Sequence, residues 1–341
     1  MHRHLLAAAV AVVLATSMNL ARADDGDTTI GGKAYVDITN IDQTSNGEDT
    51  SNKGTGIDVK RFYLVIDHKF DDVWSADLTT DFNYVSNDSE TQVFVKKAYV
   101  QAKLSDEFIA RAGAADMPWI PFAENWYGYR YVEQTIVDRL KFGNSSDWGV
   151  HVLDGGKGLF NYQVSAVDGA GYKHPERSGS VDVEARVGIQ PVPGLMLAVG
   201  GYSGKRGLDL NNNDTPALHT ATRGDALVAY QNARFRIGAE YFTSDNWNQV
   251  TSVNTDKSDG WSVWGNVNFT PEVSAFARYD NAKPSKDLDP SLKDRYYNVG
   301  VEWALRKGIK VAAVYKHEKL ANDTDTNLKT NEIGLWSEIK F

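Results

Sequence analysis

The chain has 341 residues, carries a formal net charge of -9 and contains no cysteine. An acidic chain is a poor partner for nucleic acid, and a chain without cysteine has no disulfide bonds. Nine tryptophans, sixteen tyrosines and 29 glycines favour many aromatic-rich strands joined by turns.

The first 23 residues are predicted to be a secretory signal peptide. A short basic start precedes an apolar run from Leu5 to Thr16, which is too short to span a bilayer about 30 Å thick as a helix. Ala21-Arg-Ala23 fits the small-x-small pattern of a cleavage site. We therefore expect cleavage after Ala23 and a mature domain of residues 24–341; the alternative is a short N-terminal anchor helix.

Sixteen segments of the mature chain are predicted to be β-strands, because apolar and polar side chains alternate along many of them. In the third segment, Trp74, Ala76 and Leu78 share one face, whereas Ser75 and Asp77 share the other. The predicted strands are residues 30–41, 56–70, 73–86, 90–104, 107–115, 147–153, 159–168, 180–190, 195–203, 220–231, 234–243, 260–270, 273–281, 295–305, 309–318 and 329–341.

The connections between these strands alternate between short and long. The short ones carry turn residues, as in Asp71-Asp72 and Pro191-Val-Pro-Gly194. The connection near Asn87 is short where a long one is expected. Tight turns at one end and long loops at the other are typical of an up-and-down membrane barrel, whereas a Greek-key sandwich has no such regular alternation.

The last predicted strand ends on an aromatic residue. Ile333, Leu335, Ile339 and Phe341 share its apolar face. A chain that stops on the Phe of such a strand resembles bacterial outer-membrane barrels, and in lipid only a closed barrel leaves no strand edge unpaired. We predict an all-β fold, a 16-stranded antiparallel transmembrane β-barrel. The alternative is a secreted, soluble β-sandwich that binds carbohydrate.

The connection 116–146 is the longest loop and is too apolar to extend freely into water. It contains the aromatic stretches Met117–Phe122 and Glu124–Tyr131. Long loops in compact folds usually carry function, and a loop this apolar must pack against other residues. We predict that this third outer loop folds into the barrel and narrows it. An external lid or a trimer-contact loop is the alternative.

Several motifs, taken in order, resemble the phosphate-selective porin O and P family. They are Val59-Lys-Arg-Phe-Tyr-Leu-Val-Ile66, Phe70-Asp-Asp-Val-Trp-Ser-Ala76, Thr80-Asp-Phe82, Val95-Lys-Lys-Ala-Tyr-Val100, Ala110-Arg-Ala-Gly113, the loop prolines Pro118 and Pro121, and Asp147-Trp-Gly-Val150. The resemblance covers about residues 31–171 and weakens afterwards. It implies a trimeric porin of the bacterial outer membrane, surrounded by its lipid, with an in-folded third loop. We expect such a protein to pass small hydrophilic or anionic solutes through a water-filled barrel. The resemblance does not by itself imply phosphate, because no phosphate-binding loop motif aligns residue by residue.

Basic side chains on the predicted lumen face and in the long loop are the candidates for the constriction and for contact with anions. They are Arg61, Lys97, Arg111, Arg130, Arg139, Lys141, Arg186 and Arg236. Carboxylates such as Asp77 and Glu184 share the lumen face, so the mixed lining predicts a weak to moderate ion preference of open sign. For each of these basic residues, an ion pair with a carboxylate of the wall is as good an interpretation as a role in transport. Lys96 falls on the face assigned to lipid and marks a register slip, a bulge or a subunit contact.

Catalysis and cofactors are not predicted. The sequence contains neither a nucleophile-elbow motif nor a His-Glu-x-x-His motif. Loops 209–214 and 323–327 have calcium-like spacing of oxygen ligands but lack the rest of a full calcium loop, so solvated acidic loops are the simpler reading. The functional alternative to a porin is a non-conducting structural or adhesion barrel whose loops bind a partner.

Overall fold

The computed structural model describes residues 26–85, 90–156, 158–175, 177–210 and 218–341. The predicted signal peptide lies outside these ranges, as does the short connection near Asn87. Within them, the wall strands in chain order are β1 (Asp27–Ser45), β3 (Gly54–Lys69), β4 (Trp74–Val85), β5 (Glu90–Lys103), β6 (Ile109–Asp116), β7 (Ser146–Leu153), β8 (Phe160–Val167), β9 (Asp182–Val192), β10 (Leu195–Gly204), β11 (Ala221–Gln231), β12 (Phe235–Asp245), β13 (Lys257–Asn268), β14 (Val273–Lys283), β15 (Lys293–Arg306), β16 (Ile309–Ala321) and β17 (Asn327–Lys340). A two-residue strand, β2 (Glu48–Asp49), pairs with the end of β1 in the first loop.

All strands belong to one sheet that closes on itself. Each wall strand pairs antiparallel with the next, and β1 pairs with both β3 and β17. The result is the closed 16-stranded antiparallel barrel predicted from the alternation, and the fold class is confirmed. A closed barrel excludes the soluble sandwich.

Alternate side chains along each strand face opposite sides of the wall. In β9, Asp182, Glu184 and Arg186 are buried, whereas Val183 and Val187 are exposed. In a closed barrel, one such row faces the interior and the other the exterior. The polar row therefore lines the lumen, and the exposed apolar row forms the outer surface.

Lys96 is an extra residue in β5. Thr79 pairs with Lys97 but Thr80 pairs with Val95, so Lys96 has no partner in register. Such a bulge changes the face to which a side chain points. The Lys96 ammonium lies 3.3 Å from the hydroxyl of Tyr63, a buried residue of the inner face. Assigning Lys96 to the lipid face was therefore wrong, and the bulge is the explanation.

The two ends of the described chain meet at the seam between β1 and β17. The amide of Gly32 donates to the carbonyl of Phe341 at 2.9 Å, and the amide of Phe341 donates back to Gly32 at 3.1 Å. A side chain at Gly32 would collide with the Phe341 ring, so glycine is needed for this approach. The ladder continues from Lys33–Lys340 to Ser45–Leu328 and completes the barrel.

The two remaining elements are helices, α1 (Ile120–Tyr127) and α2 (Ile136–Arg139), in the connection between β6 and β7. Among the described residues, no helix has the length and apolar character needed to cross a membrane. Most of the largest fully buried side chains lie in this connection. They include Trp119, Tyr127, Phe142, Met117, Ile120 and Ile136.

Candidate functional site

The connection 117–145, called the inner segment below, is shaped locally by its prolines and glycines. Pro121 lies at the start of α1, where a missing amide hydrogen costs least. Gly128 ends α1 in the left-handed conformation (φ 80°), and its amide donates to the Glu124 carbonyl at 2.8 Å. A side chain at Gly128 would also overlap the Arg236 guanidinium. Glycine at position 128 therefore sets both the helix end and its contact with the wall.

Trp119 fixes the start of the inner segment to the inner face of the wall. Its side chain is fully buried, and its indole N–H donates to Glu240 of β12 at 2.8 Å. Its backbone amide donates to Glu184 of β9, also at 2.8 Å. A Cβ atom at Gly200 of β10 would lie 2.7 Å from Trp119 Cε3, so this glycine leaves the space that the indole ring occupies.

Wall guanidinium groups bind the backbone carbonyls of the inner segment. Arg186 Nε donates to Pro118 at 2.9 Å, Arg236 Nη1 donates to Tyr127 at 3.0 Å, and Arg223 Nη1 donates to Phe142 at 2.6 Å. A segment without sheet partners needs such donors for its buried carbonyls. The inner segment is thus held by strands β9, β11 and β12.

The second half of the inner segment contacts β14, β15 and β16. Arg139 of α2 reaches three carboxylates, with Nε 3.2 Å from Asp280, Nη2 2.5 Å from Asp294 and Nη1 2.5 Å from Glu318. The Tyr131 hydroxyl donates to Glu302 of β15 at 2.7 Å. These contacts leave free space between the inner segment and the opposite wall, strands β1, β3, β4 and β5.

Two cavities occupy this space. The cavity nearer the long loops has a volume of about 360 Å³, and the cavity nearer the short turns has a volume of about 440 Å³. Tyr35 and Arg130 line both, so the two cavities approach each other at this pair of residues. The charged residues of the first cavity are Asp58, Lys60, Arg61, Arg130, Glu133, Lys316 and Glu332. Those of the second are Lys33, Asp67, Lys96, Lys97, Asp116, Glu124, Arg130 and Lys340.

The lining carries more positive than negative side chains. Counted over both cavities, eight basic and six acidic residues line the space among the described residues. Arg130 pairs through Nε with Glu124, and its Nη2 lies 3.5 Å from Asp138. Five of the six acidic residues, all except Asp67, form ion pairs with basic residues of the lining, and the excess of positive charge is modest.

Two carboxyl groups of the inner segment differ in proton affinity. Burial raises the pKa of Glu124 above its ordinary value, although the adjacent Arg130 cation opposes this shift. Burial also disfavours ionised Glu133, but the Lys316 and Arg278 cations outweigh it and lower the pKa of Glu133 to about 2. Glu133 is thus a permanent anion at ordinary pH, whereas Glu124 is the group that gains a proton first on acidification.

Three of the eight residues predicted as pore contacts line the cavities: Arg61, Lys97 and Arg130. Arg61 Nε lies 3.7 Å from Asp81, and Lys97 Nζ lies 3.5 Å from Asp116. Both retain access to the cavities, since about a fifth of each side chain is exposed.

The other five predicted residues lie elsewhere. Arg186 and Arg236 of the wall bind the inner segment, and Arg139 of the inner segment binds wall carboxylates, as described above. Arg111 Nε donates to the Gln101 side chain at 2.9 Å and borders neither cavity. Lys141 is exposed, and it has a positive φ of 61°.

Sequence reasoning missed five lining cations, which are Lys33, Lys60, Lys96, Lys316 and Lys340. Lys60, like Lys96, is an unpaired bulge residue, because Tyr35 pairs with Arg61 and Val36 with Val59. Alternation alone misplaces such residues. The remaining three lie on regular lumen rows, so the same alternation could have found them.

The described residues contain no group of three or more His, Cys, Asp or Glu side chains arranged to hold a metal ion. In loop 323–327, the Asp325 carboxylate accepts hydrogen bonds from Asn322, Thr324 and Thr326. All three bonds end on its Oδ1 atom, which is thus occupied within the turn. Most of loop 209–214 lies outside the described residues.

The N-terminal part of the chain carries a family signature. Residues 29–123 match the family described as phosphate-selective porin O and P. The resemblance drawn from the motifs is confirmed over this stretch. A comparison with curated protein sequences finds no match.

The whole barrel is similar to solved porins. The anion-selective porin from Comamonas acidovorans aligns with a TM-score of 0.64 at 10% identity, over 93% of this chain and 100% of that one. OmpF of Salmonella typhi, in complex with daunomycin, aligns with a TM-score of 0.63 at 11% identity, over 92% and 97%. A loop L8 deletion mutant of OmpT from Vibrio cholerae gives 0.61 at 14% identity, over 93% and 100%. At such identities the similarity concerns the fold.

Proposed function

We propose that the protein is an outer-membrane porin through which small hydrophilic solutes diffuse passively. A closed barrel with an apolar outer row and a polar inner row satisfies its backbone in lipid and encloses water. The match of residues 29–123 to a porin family supports the same conclusion. This mechanism needs neither catalysis nor a cofactor.

The inner segment is the proposed constriction of the pore. The observation that carries the proposal is the pair of charged cavities that approach each other at Tyr35 and Arg130, between the inner segment and strands β1, β3, β4 and β5. A solute that crosses the barrel by this route passes the guanidinium group of Arg130. Tyr35, Tyr63 and Tyr131 surround this point, with ring centroids 6.1 and 6.4 Å from Tyr35.

A modest preference for anions follows from the charges of the lining. Eight basic side chains face six acidic ones, and rings of positive charge favour anions. We propose Arg61, Lys96, Lys97 and Arg130 as the side chains that bias entry. One similar structure is described as an anion-selective porin, and phosphate is a candidate solute on the family match alone.

The proposed assembly is a homotrimer in the bacterial outer membrane, reached after removal of residues 1–23. One similar structure is described as a trimer form of OmpT from Vibrio cholerae. The exposed apolar rows give the barrel the outer surface that lipid and neighbouring subunits require.

Conductance in planar bilayers tests the function. The purified, refolded protein should give stepwise channels, and its reversal potential in a KCl gradient should indicate anion preference. Arg130→Gln removes the cation shared by both cavities and should shift the reversal potential towards cations. Lys141→Gln is the matched control, because Lys141 is exposed and borders neither cavity. Titration with phosphate then shows whether phosphate blocks the current.

Two results would contradict the proposal. Folded protein that gives no channels would favour the alternative, a non-conducting structural or adhesion barrel. If wild type and Arg130→Gln gave channels of identical selectivity, the protein would still be a porin, but the inner segment would not form its constriction.

A further inference from the structure

Three basic side chains lie side by side on the outward face of the barrel, near the end with the long loops. Arg295 of β15 is directly opposite Lys319 of β16, and Lys319 is directly opposite Lys329 of β17. Arg295 alternates with the buried residues Asp294 and Tyr296, so its side chain belongs to the outward row. We call Arg295, Lys319 and Lys329 the basic row.

The basic row has no protein counter-charge. Among the described residues, none of the three side chains has a hydrogen bond or an ion pair. The Asp325 carboxylate in the turn that joins β16 and β17 is hydrogen-bonded within that turn. Like charges directly opposite each other on neighbouring strands destabilise a sheet. The arrangement is therefore unfavourable for the protein alone and becomes favourable when an anion binds.

Other outward cations at the same end of the barrel are arranged differently. Lys257 of β13 is directly opposite Asp245, and Lys283 of β14 is directly opposite Asp259. Opposite charges on facing positions stabilise a sheet. Asp259 forms its ion pair with Lys286 of the loop, but it still faces Lys283. A run of cations that face only one another along the ladder is thus a feature of β15, β16 and β17.

The rows next to the basic row have the order expected of a membrane interface. One step further from the loops, Tyr297, His317 and Asn331 lie in register, with Tyr297 and His317 ring centroids 5.2 Å apart. The step after that brings Val299, Tyr315 and Ile333 into register, where the aliphatic side chains of Val299 and Ile333 are exposed. Charge, then aromatic groups, then aliphatic surface correspond to the headgroup, interfacial and hydrocarbon layers of a bilayer.

We propose that the basic row binds the phosphate groups of a phosphorylated glycolipid of the lipid A type in the outer leaflet. Facing positions on neighbouring strands are about 5 Å apart, so the row presents three cations within the width of one lipid headgroup. Charge-assisted hydrogen bonds connect Arg and Lys to phosphate oxygens, and acyl chains lie along the aliphatic surface below. The orientation rests on the proposed function, which puts the long loops at the outer side of the membrane.

The test measures lipid binding by the purified, detergent-solubilised barrel. Bis-phosphorylated lipid A and a lipid A that lacks both phosphates are added separately, and bound lipid is counted by native mass spectrometry. Wild type should retain the phosphorylated lipid preferentially. A cation near a membrane surface contributes about fivefold in affinity, so Arg295→Gln, Lys319→Gln and Lys329→Gln together should weaken binding about a hundredfold. Lys257→Gln with Lys283→Gln is the matched control and should leave binding unchanged.

Thermal unfolding provides the second measurement and also detects misfolding. Lipid A should raise the Tm of wild type and not that of the triple variant. In neutral detergent, the triple variant should be at least as stable as wild type, because like-charge repulsion is removed. Equal retention of both lipids by wild type, or undiminished binding by the folded triple variant, would overturn the proposal. Channel conductance should be the same in the triple variant, so a failed porin assay and a failed lipid assay are distinguishable.

Discussion

Trp119→Phe tests whether the inner segment is held by the bond between its indole group and Glu240. The substitution keeps an aromatic ring in the same pocket but removes the indole N–H. That N–H is 2.8 Å from Glu240 Oε1, and Glu240 Oε2 has no hydrogen-bond partner in the described structure. After the substitution, the buried Glu240 carboxylate therefore loses its only described hydrogen-bond donor.

The expected magnitude follows from the kind of bond that is lost. Leaving a buried carboxyl oxygen without its hydrogen-bond donor costs about 1–3 kcal/mol. If this free energy holds the inner segment to the wall, its loss increases the population of the detached state by about 5- to 150-fold. The barrel ladders do not depend on Trp119, so the effect should be confined to residues 117–145.

Hydrogen–deuterium exchange of the detergent-solubilised protein measures this population. Peptides from 117–145 should exchange about 5- to 150-fold faster in Trp119→Phe than in wild type, with unchanged exchange in β12 and β13. Trp126→Phe is the matched control. Trp126 is also buried in α1, but its indole forms no hydrogen bond among the described residues.

Two results would refute this reasoning. Unchanged exchange in Trp119→Phe would mean that the hydrogen bond does not hold the inner segment. Equal acceleration in Trp126→Phe would mean that ring volume, and not the bond to Glu240, determines attachment.

Three further predictions concern the same region. Gly200→Ala should accelerate exchange in 117–145, because the new methyl group lies 2.7 Å from Trp119, whereas Gly201→Ala makes an ordinary contact at 3.5 Å and should have no effect. Arg139→Met leaves the buried Asp294 carboxylate without a cation, while Asp280 keeps Arg278, and should weaken the attachment of α2 by about 3–5 kcal/mol, which exchange in 136–139 measures against Arg139→Lys. Lowering the pH should increase the anion preference of the channel, because Glu124, with its raised pKa, is neutralised earlier than an ordinary carboxyl group and stops offsetting Arg130. The reversal potential of Glu124→Gln should show a smaller pH dependence.

The strands of the wall were predictable because each strand carries its own signal in the sequence. Apolar and polar side chains must alternate along a strand that lies between lipid and water, so the residue pattern of β9 or β17 identifies the strand and both of its faces. Tight turns and long loops then order the strands without further information. The bulges at Lys60 and Lys96 were not predictable in this way, since one extra residue shifts the faces but leaves the composition of the strand unchanged.

The candidate site was predictable in part. Alternation identifies the inner face, but it does not say which inner side chains the inner segment covers. Arg61 and Arg186 have the same pattern in the sequence. Arg61 borders a cavity, whereas Arg186 donates to the Pro118 carbonyl. That difference depends on the path of residues 117–145 across the wall, which is a property of tertiary packing.

The seam between β1 and β17 has a consequence for folding kinetics. Its hydrogen bonds join residues about three hundred positions apart, as between Gln43 and Thr330, which are separated by 287. The other wall ladders join strands that follow one another along the chain. The residues paired at this seam therefore have by far the largest sequence separation, and such long-range pairing is slow. A circular permutant that joins Phe341 to residue 26 and opens the chain at the turn 232–234 would keep the wall ladders but close a different seam. Equal folding rates in the permutant and the natural order would show that the barrier comes from sequence separation, whereas different rates would show that it depends on which ladder closes the barrel.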